Sequence, residues 1–303
     1  MSEARRGLLA GAAAYGLWGL FPLYWAILDD AGALEILAIR VVASLVVMGG
    51  LTVLLGRTRH FRRIVTDRRT HALLALAGLV ISVNWFTFIW GVTNGRVLET
   101  SLGYFVTPLV SVGLGVVVLG ERLRRLQWAA LALAALAVVV LTVDYGRVPW
   151  VALALATSFG TYGLLKKQAD VGAVESLTFE TLVAAPAAIG VLAWLALTGV
   201  AVFPDAGVGQ ALLLASTGFV TAVPLICFGV AATRIPLTTM GLLQYLAPTL
   251  HFVLGIAVFG EALPLSRAVG FALVWTALVV FTLEAWRHRR RQLRLAAVAA
   301  TGG

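Results

Sequence analysis

The chain has 303 residues, of which 60% are hydrophobic and only 12% are charged. A soluble domain is nearer half apolar and a quarter charged, so this apolar excess indicates a protein that lies in a lipid bilayer. The single cysteine, Cys227, excludes an intrachain disulfide framework and a cysteine-rich metal site. The net charge of +9 could indicate nucleic-acid binding, but its distribution along the chain indicates a membrane topology instead.

Ten apolar segments are long enough to cross a bilayer, which takes about 20 residues. The short connections between them predict antiparallel neighbours, and the sequence therefore predicts an all-α integral membrane protein with ten transmembrane helices. The predicted spans are 7–28, 34–56, 72–93, 97–119, 126–144, 149–165, 175–199, 209–232, 236–259 and 266–286.

Lysine and arginine are concentrated in alternate connections. If the N-terminus is inside, the inner segments hold 19 basic residues and the outer segments hold three, Arg96, Arg147 and Arg267. Because basic residues favour cytoplasmic loops, both termini are predicted to be cytoplasmic. The basic tail at 287–303 is predicted to be a poorly ordered cytoplasmic extension.

One sequence pattern occurs twice, about 140 residues apart. The pattern Pro-x6-Gly-x4-Gly-Glu-x-Leu runs from Pro108 to Leu123 and recurs with the same spacing from Pro248 to Leu263. Such self-similarity predicts two repeats, at 7–144 and 149–286. Each repeat has five helices, an odd number, so the second is predicted to be inverted relative to the first. Inverted repeats are typical of transporters that alternate between two open states.

Polar side chains within spans are costly in lipid and are functional candidates for that reason. Alternatives remain open: Glu99 could form an ion pair with Arg96, Asn84 could bond a neighbouring helix, and His251 could be structural. Glu121 and Glu261, at equivalent span ends, are interpreted as helix-end partners. The predicted substrate-binding residues are Arg40, Asn84, Trp85, Glu99, Tyr104, Glu180, Gln244, Tyr245 and His251.

Several stretches match one family of bacterial membrane proteins. They are Tyr15-Gly-Leu-Trp-Gly-Leu-Phe-Pro-Leu-Tyr24, Glu35-Ile-Leu-Ala, Asn84-Trp85, Leu98-Glu-Thr-Ser-Leu-Gly-Tyr104, Leu119-Gly-Glu-Arg-Leu-Arg-Arg-Leu-Gln-Trp128 and Leu243-Gln-Tyr-Leu-Ala-Pro-Thr249. Over about residues 7–286 the chain resembles the RarD proteins of the EamA branch of the drug/metabolite transporter superfamily. The resemblance implies an inner-membrane permease with two EamA repeats. One departure is Ile39, which precedes Arg40 where a histidine is expected in RarD proteins.

These observations predict a secondary transporter, an exporter of small organic metabolites or drug-like solutes that works by alternating access. Proton coupling through Glu99 or His251 is one hypothesis, and facilitated diffusion is its alternative. The sequence has no P-loop, His-Glu-x-x-His or Gly-x-Ser-x-Gly motif, so we predict neither an enzyme nor a bound metal or cofactor. The predicted partners are a small-molecule substrate and the lipid bilayer, without nucleic acid. A membrane receptor or assembly subunit without transport is the alternative function.

Overall fold

A computed structural model describes residues 2–120, 123–203, 207–232, 234–235, 239–240 and 243–301. Every regular element in these ranges is a helix. The α-helices are α1 Glu3–Gly19, α2 Phe21–Ile27, α3 Gly32–Leu54, α4 Thr58–Thr66, α5 Arg68–Thr93, α6 Val97–Leu119, α7 Arg125–Tyr145, α8 Trp150–Ala169, α9 Ala173–Leu197, α10 Val208–Ala232, α11 Leu246–Ala257 and α12 Leu265–Thr301.

Within the described residues, eight helical segments are long and apolar enough to cross a membrane. Bilayers favour helices because each backbone group is bonded within its own segment. The eight segments match eight of the spans predicted from sequence to within a few residues. They are Glu3–Ile27, Gly32–Leu54, Arg68–Thr93, Val97–Val118, Arg125–Tyr145, Ala173–Leu197, Val208–Ala231 and Leu265–Glu284.

The other two predicted spans correspond to α8 and α11. Helix α8 has 20 residues but is rich in small side chains, ends with Lys166 and Lys167 in its last turn, and packs against both α5 and α6. Helix α11 has 12 residues, or about 18 Å at 1.5 Å per residue, which is shorter than the hydrocarbon core of about 30 Å. Part of its predicted span, 236–238 and 241–242, lies outside the described residues, as does Glu121. The count of ten transmembrane helices stays a prediction.

The basic tail differs from its prediction. Helix α12 continues past the membrane segment to Thr301, so the described part of the extension, which was predicted to be poorly ordered, is helical. Arginine, glutamine, leucine and alanine dominate this stretch, and all four have high helix propensity. Their local preference extends the last membrane helix beyond the apolar span.

The helices pack in pairs that join distant parts of the chain. Helix α3 packs on α9, α7 on α12, and α6 on both α8 and α11, while α1 packs on α10 and α11. One apolar core lies between α6, α7 and α12, around Leu102, Leu141 and Phe271. A second lies around Trp25, Ile36 and Ile89 on α2, α3 and α5. Buried polar side chains also lie between helices of the two halves.

Two glycines allow close helix contacts. A Cβ atom added to Gly218 on α10 would lie 2.5 Å from the Ala43 carbonyl oxygen on α3. One added to Gly78 on α5 would lie 2.8 Å from the Glu180 carbonyl oxygen on α9. In lipid, helices associate chiefly through such close packing, for which small residues are needed.

Candidate functional site

Arg40 on α3 is only 4% exposed. Its Nε donates a hydrogen bond of 3.0 Å to Thr221 Oγ1 on α10. Its guanidinium carbon lies 4.0 Å from the ring centroid of Trp85 and 5.0 Å from that of Trp25, with Phe21 at 5.8 Å. Aromatic faces attract cations, by about 2 kcal/mol where the pair is desolvated. The side chain is therefore held by three rings and one hydroxyl.

Asn84 on α5 joins three helices. Its Nδ2 donates to the Leu155 carbonyl at 3.1 Å and to Ser158 Oγ at 3.0 Å, both on α8. Its Oδ1 accepts a bond of 3.1 Å from the Tyr104 hydroxyl on α6. Since buried amides are costly when unpaired, these bonds tie the helices together. Of the two alternatives predicted for Asn84, the structure supports bonding to a neighbouring helix.

His251 on α11 is 2% exposed. Its Nε2 lies 3.0 Å from the Trp18 carbonyl oxygen. Because a carbonyl only accepts hydrogen bonds, Nε2 must donate to it, which in the neutral imidazole leaves a lone pair on Nδ1. Nδ1 is buried without a hydrogen-bond partner in the described part of the chain. The imidazole lies against the rings of Phe88 and Tyr104, with centroids at 5.1 and 5.8 Å.

Five of these residues form what we call the central cluster: Arg40, Trp85, Phe88, Tyr104 and His251. Trp85 and Phe88 lie one turn apart on the same face of α5, so Arg40 and His251 contact successive positions of one helix. Tyr104 packs on Phe88 at 5.6 Å. Helices α3, α5, α6 and α11 supply the cluster, and α1, α2 and α10 surround it.

Glu99 lies at the start of α6 in an ion pair with Arg147, at 2.7 Å. It also accepts a 3.0 Å bond from the Val151 amide at the start of α8. The contact with Glu99 raises the pKa of Arg147 above its usual value. The partner predicted from sequence, Arg96, instead stacks on Trp90 at 4.8 Å. Glu99 therefore connects helix ends, and the contacts described for it do not reach the central cluster.

Glu180 on α9 is 1% exposed. Its carboxylate pairs with Lys166 Nζ at 3.0 Å and accepts hydrogen bonds from Tyr162 and Ser176, at 3.0 and 2.5 Å. Arg40 is not among these partners. Glu180 reaches the central cluster only indirectly, because Tyr162 packs on Phe159, which packs on Tyr104.

Two other carboxylates bond backbone amides, one in the connection between α9 and α10 and one at the start of α6. Glu35 accepts bonds from Val202 and Phe203, the latter at 2.8 Å. Glu261 accepts bonds from the first two amides of α6, Val97 and Leu98, which confirms its predicted helix-end role. Burial raises the pKa of Glu261, and these amides partly offset the effect. Amides in the first turn of a helix lack helical acceptors and bond readily to carboxylates.

Gln244 and Tyr245 lie in the turn that precedes α11. Tyr245 packs against the core between α6, α7 and α12. The backbone amide of Gln244 donates a hydrogen bond of 3.0 Å to the Met240 carbonyl oxygen. No contact described for either predicted side chain joins it to the central cluster.

Sequence reasoning missed residues both within the cluster and around it. Phe88 and Thr221 had no distinguishing pattern, since an apolar ring and a single hydroxyl are common in membrane helices. The aromatic residues of the first span, Trp18 and Trp25, are visible in the sequence as a run of rings. Their contacts with His251 and Arg40 depend on how the helices pack.

A separate cleft of about 300 Å³ lies between α4, α5 and the turn from α8 to α9. Its lining includes His60, Asp67, Asp170 and Glu175. Asp67 accepts a bond from the Thr70 amide at the start of α5, and Glu175 pairs with Arg57 at 3.0 Å. None of the residues that line this cleft belongs to the central cluster, so the two sites are separate.

A bundle of apolar helices around buried polar side chains defines a multi-pass membrane protein, and comparisons with known proteins define its family. The EamA-like transporter family matches residues 5–143. A protein named RarD from Streptomyces exfoliatus is 53% identical over 301 residues, 99% of this chain and 96% of the relative. An uncharacterized transporter from Vibrio cholerae is 44% identical over 294 residues, 96% of this chain and 97% of its own length.

A solved protein chain with 20% sequence identity has a TM-score of 0.56 and covers 93% of this chain and 98% of its own length, which shows a shared fold. The chain belongs to the EamA-like transporter family and is a RarD-type permease.

Proposed function

We propose that this permease is a secondary transporter that exports small organic metabolites or drug-like solutes by alternating access. The observation that carries the proposal is the central cluster, where Arg40, Tyr104 and His251 converge from three helices. Helices α3, α5 and α6 come from the first half of the chain, and α11 comes from the second. Solute sites between two halves are typical of transporters with internal repeats.

Two inverted five-helix repeats, at 7–144 and 149–286, are part of this proposal, and the helix pairing supports them. Equivalent helices pack on each other, as α3 does on α9, α6 on α11 and α7 on α12. Other contacts occur in matched pairs, since α5 packs on α8 as α10 packs on α1, and α3 packs on α10 as α9 packs on α5. A two-fold axis in the membrane plane would produce this pattern.

The close glycine contacts support the same symmetry. Gly78 and Gly218 are 140 positions apart (218 − 78), as the two sequence patterns are. Gly78 packs on α9 beside Glu180, and Gly218 packs on α3 beside Ala43. Equivalent glycines thus contact equivalent helices, which is expected if the halves share one fold in opposite orientations.

His251 is the residue that we propose for proton coupling. Its unpaired Nδ1 can accept a proton or a hydrogen bond from a solute. Glu99, the other candidate, already pairs with Arg147 and the Val151 amide. Coupling through Glu99 would require that pair to break, whereas His251 needs no partner to leave.

The proposal can be tested with purified protein in sealed proteoliposomes. They would be given a defined mixture of amino acids, nucleosides, organic acids and amphenicol drugs, with and without a pH gradient. Mass spectrometry would then identify solutes that enter only when the protein is present. We expect His251→Ala to reduce this flux at least tenfold, and His60→Ala, in the separate cleft, to leave it unchanged.

Two results would count against the proposal. If the His251→Ala variant keeps the flux and its pH dependence, His251 takes part in neither coupling nor binding. No protein-dependent movement of any solute would favour a receptor or assembly subunit.

A further inference from the structure

We propose that the central cluster binds a small organic anion, whose carboxylate or phosphate group pairs with Arg40. The inference rests on the proposed transport function and names the class of solute. It depends on a buried positive charge that the described protein groups do not neutralise.

The hydrogen-bonding capacity of Arg40 is mostly unused. A guanidinium has five N–H groups, and the Nε–H bonds Thr221. No protein acceptor for Nη1 or Nη2 is found in the described residues, nor does any carboxylate there lie within ion-pair distance of Arg40. A buried cation without a counter-ion is costly in a membrane and marks functional positions.

The buried acids of the bundle are occupied elsewhere. Glu35 bonds the backbone amides of Val202 and Phe203. Glu99 pairs with Arg147, and Glu180 pairs with Lys166. Because each carboxylate already has its own partners, none of the three serves as the counter-ion of Arg40.

The surroundings of Arg40 orient its free N–H groups. Trp85 lies 4.0 Å from the guanidinium carbon and Trp25 lies 5.0 Å from it, while Thr221 holds Nε. The end of the guanidinium that carries Nη1 and Nη2 is then left for a ligand. Two parallel N–H groups match the two oxygens of a carboxylate or phosphate. Aromatic faces offset only part of the cost of burying the charge, so an anion supplies what the rings do not.

The test measures thermal stability of the purified protein with matched anionic and neutral probes at equal millimolar concentrations. The anions are acetate, benzoate and phenyl phosphate, and the neutral probes are acetamide, benzamide and phenol. Ligands that bind the folded state raise its melting temperature. We expect at least one anion to raise the melting temperature by several degrees more than its neutral counterpart. Comparing the shift caused by benzoate with the shift caused by phenyl phosphate shows whether the site prefers a carboxylate or a phosphate.

Variants assign this response to Arg40. Arg40→Met should abolish it and, without ligand, should melt no lower than the natural protein because a buried unpaired charge is removed. Arg40→Lys keeps the charge but lacks the planar pair of N–H groups, so it should bind the anion at least tenfold more weakly. Arg96→Met is the matched control, since Arg96 also stacks on two tryptophans, Trp90 and Trp150. This control variant should keep the full rise in melting temperature with the anion.

Two outcomes would overturn the inference. One is that anions stabilise the protein no more than their neutral counterparts, and the other is that Arg40→Met retains the anion response, whatever its own melting temperature. Flux of neutral solutes through both the natural protein and Arg40→Met would leave the transport proposal standing while the anion assignment failed.

Discussion

Glu180 shows how a buried charge is stabilised inside this bundle by the residues around it. Its carboxylate is 1% exposed and is held by Lys166, Tyr162 and Ser176. Lys166 comes from the end of α8, so one ion pair joins α8 to α9. A buried pair of this kind is costly to break because the remaining charge stays in a medium of low polarity.

We expect Lys166→Met to lower the free energy of unfolding by about 3–5 kcal/mol, since Glu180 is left without its cation. The double variant Lys166→Met/Glu180→Met should recover most of this loss because both charges are removed. Unfolding of the purified protein in mixed micelles would measure both effects.

The control is Arg6→Met, which breaks the exposed pair between Arg6 and Glu3 and should cost less than about 1 kcal/mol. A Lys166→Met variant as stable as this control would mean that Glu180 is not held by Lys166.

At the scale of helices, backbone contacts determine which elements approach each other. Helix α10 meets α3 where Gly218 lies against the Ala43 carbonyl, and α5 meets α9 where Gly78 lies against the Glu180 carbonyl. A methyl group at either glycine would occupy the space of the neighbouring backbone. These contacts bring Thr221 of α10 within reach of Arg40 on α3.

Gly218→Ala should therefore destabilise the protein by about 1–3 kcal/mol, because backbone groups of α3 must move away. Gly190→Ala on α9 is the matched control, since no atom lies within 4 Å of an added Cβ there. Alanine is the better helix former, so this control should gain about 0.5–1 kcal/mol. Unfolding midpoints of the two variants would give the comparison, and equal stability would contradict close packing of α10 on α3.

At the scale of the whole molecule, charged pairs connect helix ends. Arg57–Glu175 and Arg124–Glu284 join segments predicted to be cytoplasmic, and Asp144–Arg267 joins segments predicted to be outside. In each pair both partners come from segments with the same predicted side. The pairs therefore agree with the predicted alternation of the helices across the membrane, and which face is cytoplasmic stays a prediction.

That orientation can be measured because the chain has a single cysteine. In a Cys227→Ser background, Asn94→Cys should react with a membrane-impermeant maleimide on intact cells, since the connection from α5 to α6 is predicted to be outside. Arg59→Cys should react only after the membrane is permeabilised. The reverse pattern would place the termini outside.

The sequence predicted the span bounds well because length and apolar composition are local properties that a bilayer selects directly. The sequence also singled out Arg40, Asn84 and His251 as polar residues within spans, where polar groups are costly, and the structure buries all three. Their partners were not singled out, because Thr221 lies 181 positions from Arg40 and Trp18 lies 233 positions from His251. No local pattern encodes contacts over such separations.

Apolar composition alone was enough to assign this chain to the membrane and to predict most of its helices, because a bilayer requires backbone groups to be bonded within each span. Tertiary packing decided which polar residues act together. It paired Glu99 with Arg147 rather than Arg96, and it placed Arg40 among aromatic rings without a carboxylate from the described residues. The physical reason is that burial and pairing depend on distances between helices, which composition does not contain.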